Sequence, residues 1–157
     1  MKLDGKTALV TGGASGIGKA TVMELAQSGA TVICADVNAA SGARLVEEAA
    51  ATNFAVEFVA VDLADPTSTR RCAADVLQKH SRIDILVNAA GWNDIQPFVE
   101  NPPGYMDRVL AINLGGTLHL TQALLPAMIA AGKGKIVNVS RSEEHTSELQ
   151  SHLNLVC

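Results

Sequence analysis

Eight residues near the start of the chain, Thr11-Gly12-Gly13-Ala14-Ser15-Gly16-Ile17-Gly18, have the composition of a phosphate cradle. Gly12 permits a sharp turn. Gly16 leaves backbone N–H groups bare toward a pyrophosphate. Gly18 lets a helix pack close to the strand before it. A helix beginning here points its partial positive charge at the phosphates, with Ala14, Ser15 and Ile17 completing the loop. An ordinary strand-to-helix turn uses similar glycines, but the position between an apolar run and a helical one favours binding. Asp36 stands eighteen residues after Gly18, at the end of a second apolar run. A carboxylate there accepts hydrogen bonds from adenosine ribose hydroxyls and repels a 2′-phosphate. Val37 follows it and Ala14 precedes Ser15, so neither position offers an Arg or Lys to neutralise that phosphate. The pair predicts a dinucleotide site that prefers NAD to NADP. The competing reading is that Asp36 only caps the next turn.

The elements that must position these residues follow from hydrophobic pattern. Lys6–Thr11, Thr31–Ala35, Ala55–Val61, Ile83–Asn88 and Lys135–Val139 are short and rich in Val and Ile, and several lack polar alternation. Parallel strands covered on both faces read this way. Ile17–Gln27, Ala39–Thr52, Thr67–His80 and Pro103–Ala130 carry helical composition or spacing. Asp65-Pro66 suits an N-cap followed by proline in the first turn. Gly29 and Gly132 suit helix ends. Alternating strands and helices with right-handed crossovers define an α/β chain: a Rossmann-like, doubly wound parallel sheet in three layers. The pattern stops after the fifth strand. Residues 1–140 read as one nucleotide-binding domain, incomplete in this reading, and 141–157 as a non-native polar tail.

Composition removes other classes. The chain has 157 residues, 48% of them hydrophobic and 18% charged, with a formal charge of −4. That excludes a disordered chain, and the lack of a basic stripe makes nucleic acid an unsuitable partner. No apolar run has the length of a membrane span, and the N-terminus has no secretory h-region. Cys34, Cys72 and Cys157 form no disulfide framework or CxxC motif, which fits a reducing cytoplasm. No metal site is expected: His145, His152 and Cys157 match no usual zinc spacing.

With these motifs in order, residues 2–140 resemble the classical short-chain dehydrogenase/reductase family. Its glycine spacing is that of Gly12-xxx-Gly16-x-Gly18. The resemblance implies that Asp62 and Leu63 contact the adenine ring. It also implies that Asn88-Ala89-Ala90-Gly91 steadies the sheet and lines the cofactor channel. Asn113 resembles the asparagine of the family's catalytic tetrad, which distorts a long helix and holds a water in a proton relay. The implied activity is hydride transfer between a nicotinamide and a secondary alcohol or ketone. The loop Gly91-Trp92-Asn93-Asp94 with Gln96-Pro97-Phe98 looks like members acting on cyclic or acyl-CoA hydroxy substrates. The implied intact protein is a homo-oligomer, a dimer or tetramer, using Leu110, Leu114 and Leu118. The resemblance further implies that Lys135–Val139 would be an uncovered apolar edge, prone to self-association.

The family's remaining catalytic groups, a serine and a Tyr-xxx-Lys pair, have no counterpart. The serine position, third after Asn138, is Arg141, and no tyrosine or lysine follows Lys135. Tyr105, the sole tyrosine, lies too early to substitute. Residues 141–157, RSEEHTSELQSHLNLVC, resemble the in-frame translation of a sequencing-library adapter. The chain as written is therefore expected to be an inactive fragment of an oxidoreductase. The alternative is a non-catalytic NAD-binding module.

Overall fold

The computed structural model describes residues 2–94 and 96–140. The order is β1 (Thr7–Thr11), α1 (Gly16–Gln27), β2 (Thr31–Asp36), α2 (Ala39–Ala51), β3 (Val56–Ala60), α3 (Pro66–His80) and β4 (Ile85–Asn88). A single 3-10 turn (Phe98–Glu100), α4 (Tyr105–Leu110), a π-helical turn (Ala111–Gly116), α5 (Thr117–Ala130) and β5 (Lys135–Asn138) complete it. All strand pairs are parallel, in the order β3-β2-β1-β4-β5. The chain leaves β1 toward β2 and returns to its other side as β4. That reversal opens a crevice beyond the carboxyl ends of β1 and β4.

The period of two along the strands divides the core. Val10, Val32, Cys34 and Val87 face α1 and α2, packing with Val22, Ala26, Leu45 and Ala49. Leu9, Ile33, Ala35 and Leu86 face the opposite layer, packing with Cys72, Val76, Leu120, Leu124 and Met128 of α3 and α5. Leu9 sits in register with Ile33 on one side and Leu86 on the other, and all three are 2% exposed or less. Both faces of the central strands are thus buried, which is why their sequences run apolar without alternation.

Helix ends follow local chemistry. The Asp65 carboxylate accepts from Thr67 N–H at 2.8 Å with Pro66 in the first turn. Asn38 caps α2 through Ser41 N–H at 2.9 Å. The fourth helical stretch differs from the sequence reading of one helix over Pro103–Ala130. It begins at Tyr105 and is interrupted by the π-turn centred on Asn113. Hydrophobic spacing does not report this, because one extra residue in a turn shifts the face only locally. Residues 141–157, and with them the adapter and metal readings, lie outside the described residues.

Candidate functional site

One cleft occupies the crevice at the strand ends. Gly12 after β1, Asp36 ending β2, Val61–Leu63 after β3 and Ala90–Trp92 after β4 line it, with Ser15, Arg108 and Ile112. Topology alone brings these separate strand ends together.

The glycine loop is shaped by contact. A Cβ on Gly18 would stand 2.1 Å from the Gly12 carbonyl oxygen, so α1 meets the turn after β1 at a distance only glycine permits. Gly12, at φ +64°, also lies close to Ala90, where a Cβ would stand 2.7 Å from the Ala90 Cα. Gly16 starts α1 at φ +50° with open space where a side chain would be. Ser15 stands at the N-cap without a side-chain bond to the first turn, and Ile17 is 67% exposed. The first turn therefore has no side-chain cap on its N–H groups, beside Gly12 and Ser15 of the cleft wall. Ala14 behaves differently from a phosphate contact: it is buried, and its N–H donates to Asp36 Oδ2 at 3.0 Å. It orients the carboxylate.

Asp36 is held at both oxygens, because Asn38 N–H donates to Oδ1 at 2.9 Å. A carboxylate offers about four acceptor positions, so lone pairs remain for a ribose diol. Cys34, two residues back, is fully buried under the loop. Burial and the charge of Asp36 push its thiol up to about 12, so it packs as a neutral group.

Asp62 is exposed, and Ser68 Oγ accepts from its N–H at 3.0 Å while its Oδ1 accepts from Ala64 N–H at 2.9 Å. Leu63 is buried against Gly116, where a Cβ would come within 2.6 Å of Leu63 Cβ. That contact draws the π-turn, and Ile112 with it, onto the cleft wall.

At the end of β4 the predicted residues separate by role. Asn88 is 3% exposed and does not line the cleft. Its Nδ2 donates to Asn138 Oδ1 at 2.8 Å and Thr121 Oγ1 at 3.4 Å, tying β4 to β5 and α5. The N–H groups of Ala89 and Ala90 donate to Thr11 Oγ1 at 3.1 and 3.2 Å. Only Ala90 and Gly91 of this motif form cleft wall. Thr11 was invisible as a bridging residue in the sequence, where it read as the end of a strand and the first residue of the glycine loop.

Asn113 sits in the π-turn with its amide paired to the backbone N–H and C=O of one residue. Trp92 N–H donates to Asn113 Oδ1 at 2.7 Å, and Asn113 Nδ2 donates to the Trp92 carbonyl at 3.0 Å. The side chain thus fastens the loop after β4. Arg108 is a wall residue that sequence reasoning missed, and Trp92, read there only as part of a loop that resembles substrate-specific ones, is another. The statement that no basic residue stands near Asp36 holds along the chain and fails in space, because α4 carries Arg108 into the same cleft.

Comparison with known proteins agrees with this architecture. The family model for short chain dehydrogenases matches residues 6–149, running past residue 140. The chain belongs to the short chain dehydrogenase family. It is 43% identical to the sorbitol dehydrogenase of Cereibacter sphaeroides over 141 residues, covering 89% of this chain and 54% of that one. It is 41% identical to the 3-oxoacyl-acyl-carrier-protein reductase of Thermotoga maritima, covering 89% and 57%. A metagenomic short-chain oxidoreductase crystallised with NADP superposes at TM-score 0.85 with 34% identity, over 90% of this chain and 64% of that one. The chain spans little more than half the length of these curated relatives.

Proposed function

We propose that the cleft binds the adenosine diphosphate end of a nicotinamide dinucleotide, with NAD preferred to NADP, in an oxidoreductase acting on a secondary alcohol or ketone. The observation that carries this reading is Asp36, tied at both oxygens beside the glycine turn. Residues of this chain fit the group. The first turn of α1 would hold the diphosphate, Asp36 would accept from the ribose hydroxyls, and Val61, Leu63 and Ile112, which line the cleft with Asp62, would hold the base. A bound nicotinamide supplies the hydride donor or acceptor. The chain's own part is to bind and orient the coenzyme. The names of the relatives, a sugar-alcohol dehydrogenase and an oxoacyl reductase, support alcohol–ketone chemistry without choosing a hydroxyacyl-CoA substrate. An NADP-bound relative argues for the phosphorylated coenzyme; the fixed carboxylate argues against it here.

A second reading, binding without turnover, is favoured by the cleft's proton chemistry. Among the described residues its titratable wall side chains are Asp36, Asp62 and Arg108. The Tyr105 hydroxyl is bonded to the loop at Asn93 and Asp94 and does not line the cleft. None matches a tyrosine made acidic by a neighbouring lysine. In the cell we place the protein in the cytoplasm, consistent with the free buried thiols of Cys34 and Cys72. No helix among the described residues is long and apolar enough to cross a membrane.

Isothermal titration of the chain with NAD and NADP tests the reading, together with an assay of NAD-linked alcohol oxidation. Binding of NAD tighter than NADP, without turnover, is the expected result. Absence of binding by both coenzymes would overturn it.

A further inference from the structure

Among the described residues the cleft wall carries two carboxylates, Asp36 and Asp62, and one cationic side chain, Arg108. The Arg108 guanidinium carbon lies 4.4 Å from the centroid of the Trp92 ring. Among the described residues Arg108 takes part in no ion pair, whereas Lys19, at the loop's other end, is paired with Glu48 at 2.6 Å. A guanidinium laid on an indole face is held by cation–π attraction and keeps its N–H edge free for an acceptor.

The platform beneath it is fixed from three sides. Asn113 pairs with the backbone N–H and C=O of Trp92 at 2.7 and 3.0 Å. The Tyr105 ring leans on the indole at 5.3 Å between centroids, tilted by 51°. The Tyr105 hydroxyl accepts from Asp94 N–H at 3.1 Å, holding the loop two residues on. Arg108 also lies four residues before Ile112, so both side chains share one face of the helical run. The guanidinium is therefore placed beside the proposed nucleotide site before any ligand arrives.

We infer that Arg108 is a binding residue for the diphosphate of an adenosine dinucleotide, offsetting the two carboxylates that otherwise repel that anion. This rests on the nucleotide reading of the cleft. A ligand that carries two negative charges must approach Asp36 to reach its ribose contact. One cation held in the same cleft lowers the cost of that approach, and the benefit falls as salt rises. Lysine retains the charge but lacks the planar stack, so it restores the effect only in part.

The test compares wild type, Arg108→Met and Arg108→Lys by calorimetry with ADP-ribose, NAD and uncharged adenosine, at low and high salt. Trp92 is the only tryptophan, so its fluorescence reports the same site independently. Arg108 is solvent-exposed, and matched cooperative melting curves establish that the variants fold. Arg108→Met is expected to bind ADP-ribose and NAD about 3–10-fold more weakly at low salt, with a shallower salt dependence and unchanged adenosine affinity. Arg108→Lys is expected to fall between. Equal ADP-ribose affinity in wild type and Arg108→Met, or an equal loss of adenosine, would overturn the inference while the cleft reading stood. Wild type binding none of the three would overturn both.

Discussion

Gly18 and Asp36 show how single residues divide the labour at the cleft. A methyl group at Gly18 would meet the Gly12 carbonyl oxygen at 2.1 Å, against backbone that has nowhere to go. Gly18→Ala is expected to destabilise the fold by roughly 1–3 kcal/mol, the usual range for overpacking, and to abolish NAD binding where the chain still folds. Urea denaturation and titration check the two parts separately. Asp36→Ala is expected to weaken NAD about tenfold or more while leaving NADP little changed, because it removes both an acceptor for the ribose and a repulsion of the 2′-phosphate. Unchanged discrimination between the coenzymes would show that Asp36 is not the selector. Both residues were legible from spacing. Thr11 was not, since its meaning lies in two N–H groups of the loop after β4, far along the chain. Thr11→Val leaves those donors unpaired and is expected to lower stability by about 1–3 kcal/mol, measured by the same denaturation.

Elements are joined at the opposite end of the sheet by Asp84, which is 6% exposed. Its carboxylate accepts from Thr7 N–H at 3.1 Å and faces Arg82 at 3.4 Å and Lys6 at 3.5 Å. Its own N–H and carbonyl bond Thr7 and Lys135, so the starts of β1, β4 and β5 meet at one residue. Burial pushes the carboxyl up, but the Thr7 hydrogen bond, Arg82 and Lys6 outweigh it and hold it below the ordinary aspartate value. A carboxyl depressed in the folded state stabilises the protein above the unfolded value near about 4, and that contribution disappears as pH falls through the folded value. Asp84→Asn is expected to cost about 1–3 kcal/mol at pH 7, with the gap to wild type closing below about pH 4. Urea curves across that range check it; a constant gap would assign the loss to packing. The strands joined here were legible as apolar runs, within about two residues at their ends. The π-turn was not legible in hydrophobic spacing; only the resemblance at Asn113 implied a distorted helix there, and the packing of Gly116 against Leu63 is a contact between elements.

For the whole molecule, the described residues leave two apolar surfaces in water. Leu110, Leu114 and Leu118 are 54%, 53% and 57% exposed along one side of the π-turn and its flanking helices. Ile136, Val137 and Val139 are 38%, 49% and 44% exposed at the β5 edge. Such surfaces favour association, and an uncovered strand edge templates it. The chain is expected to self-associate with rising concentration in sedimentation velocity. The double substitution Leu110→Lys with Leu118→Lys is expected to weaken that association at least about tenfold through like-charge repulsion across a shared face. A monodisperse monomer at every concentration would remove the case for a helical contact between copies.

The amino-acid pattern alone determined the alternation of strands and helices, the doubly wound class, the glycine cradle and its acidic partner. Those features are local: they depend on periodicity of two or about four residues, on turn chemistry and on short spacing. Tertiary structure alone decided that Ala14 orients Asp36, that Asn88 lies behind the cleft wall and that Asn113 fastens Trp92. It also decided that Arg108 shares a cavity with Asp36. These are contacts across the switch point of the sheet, set by which strand ends the topology brings together, and no local spacing encodes them.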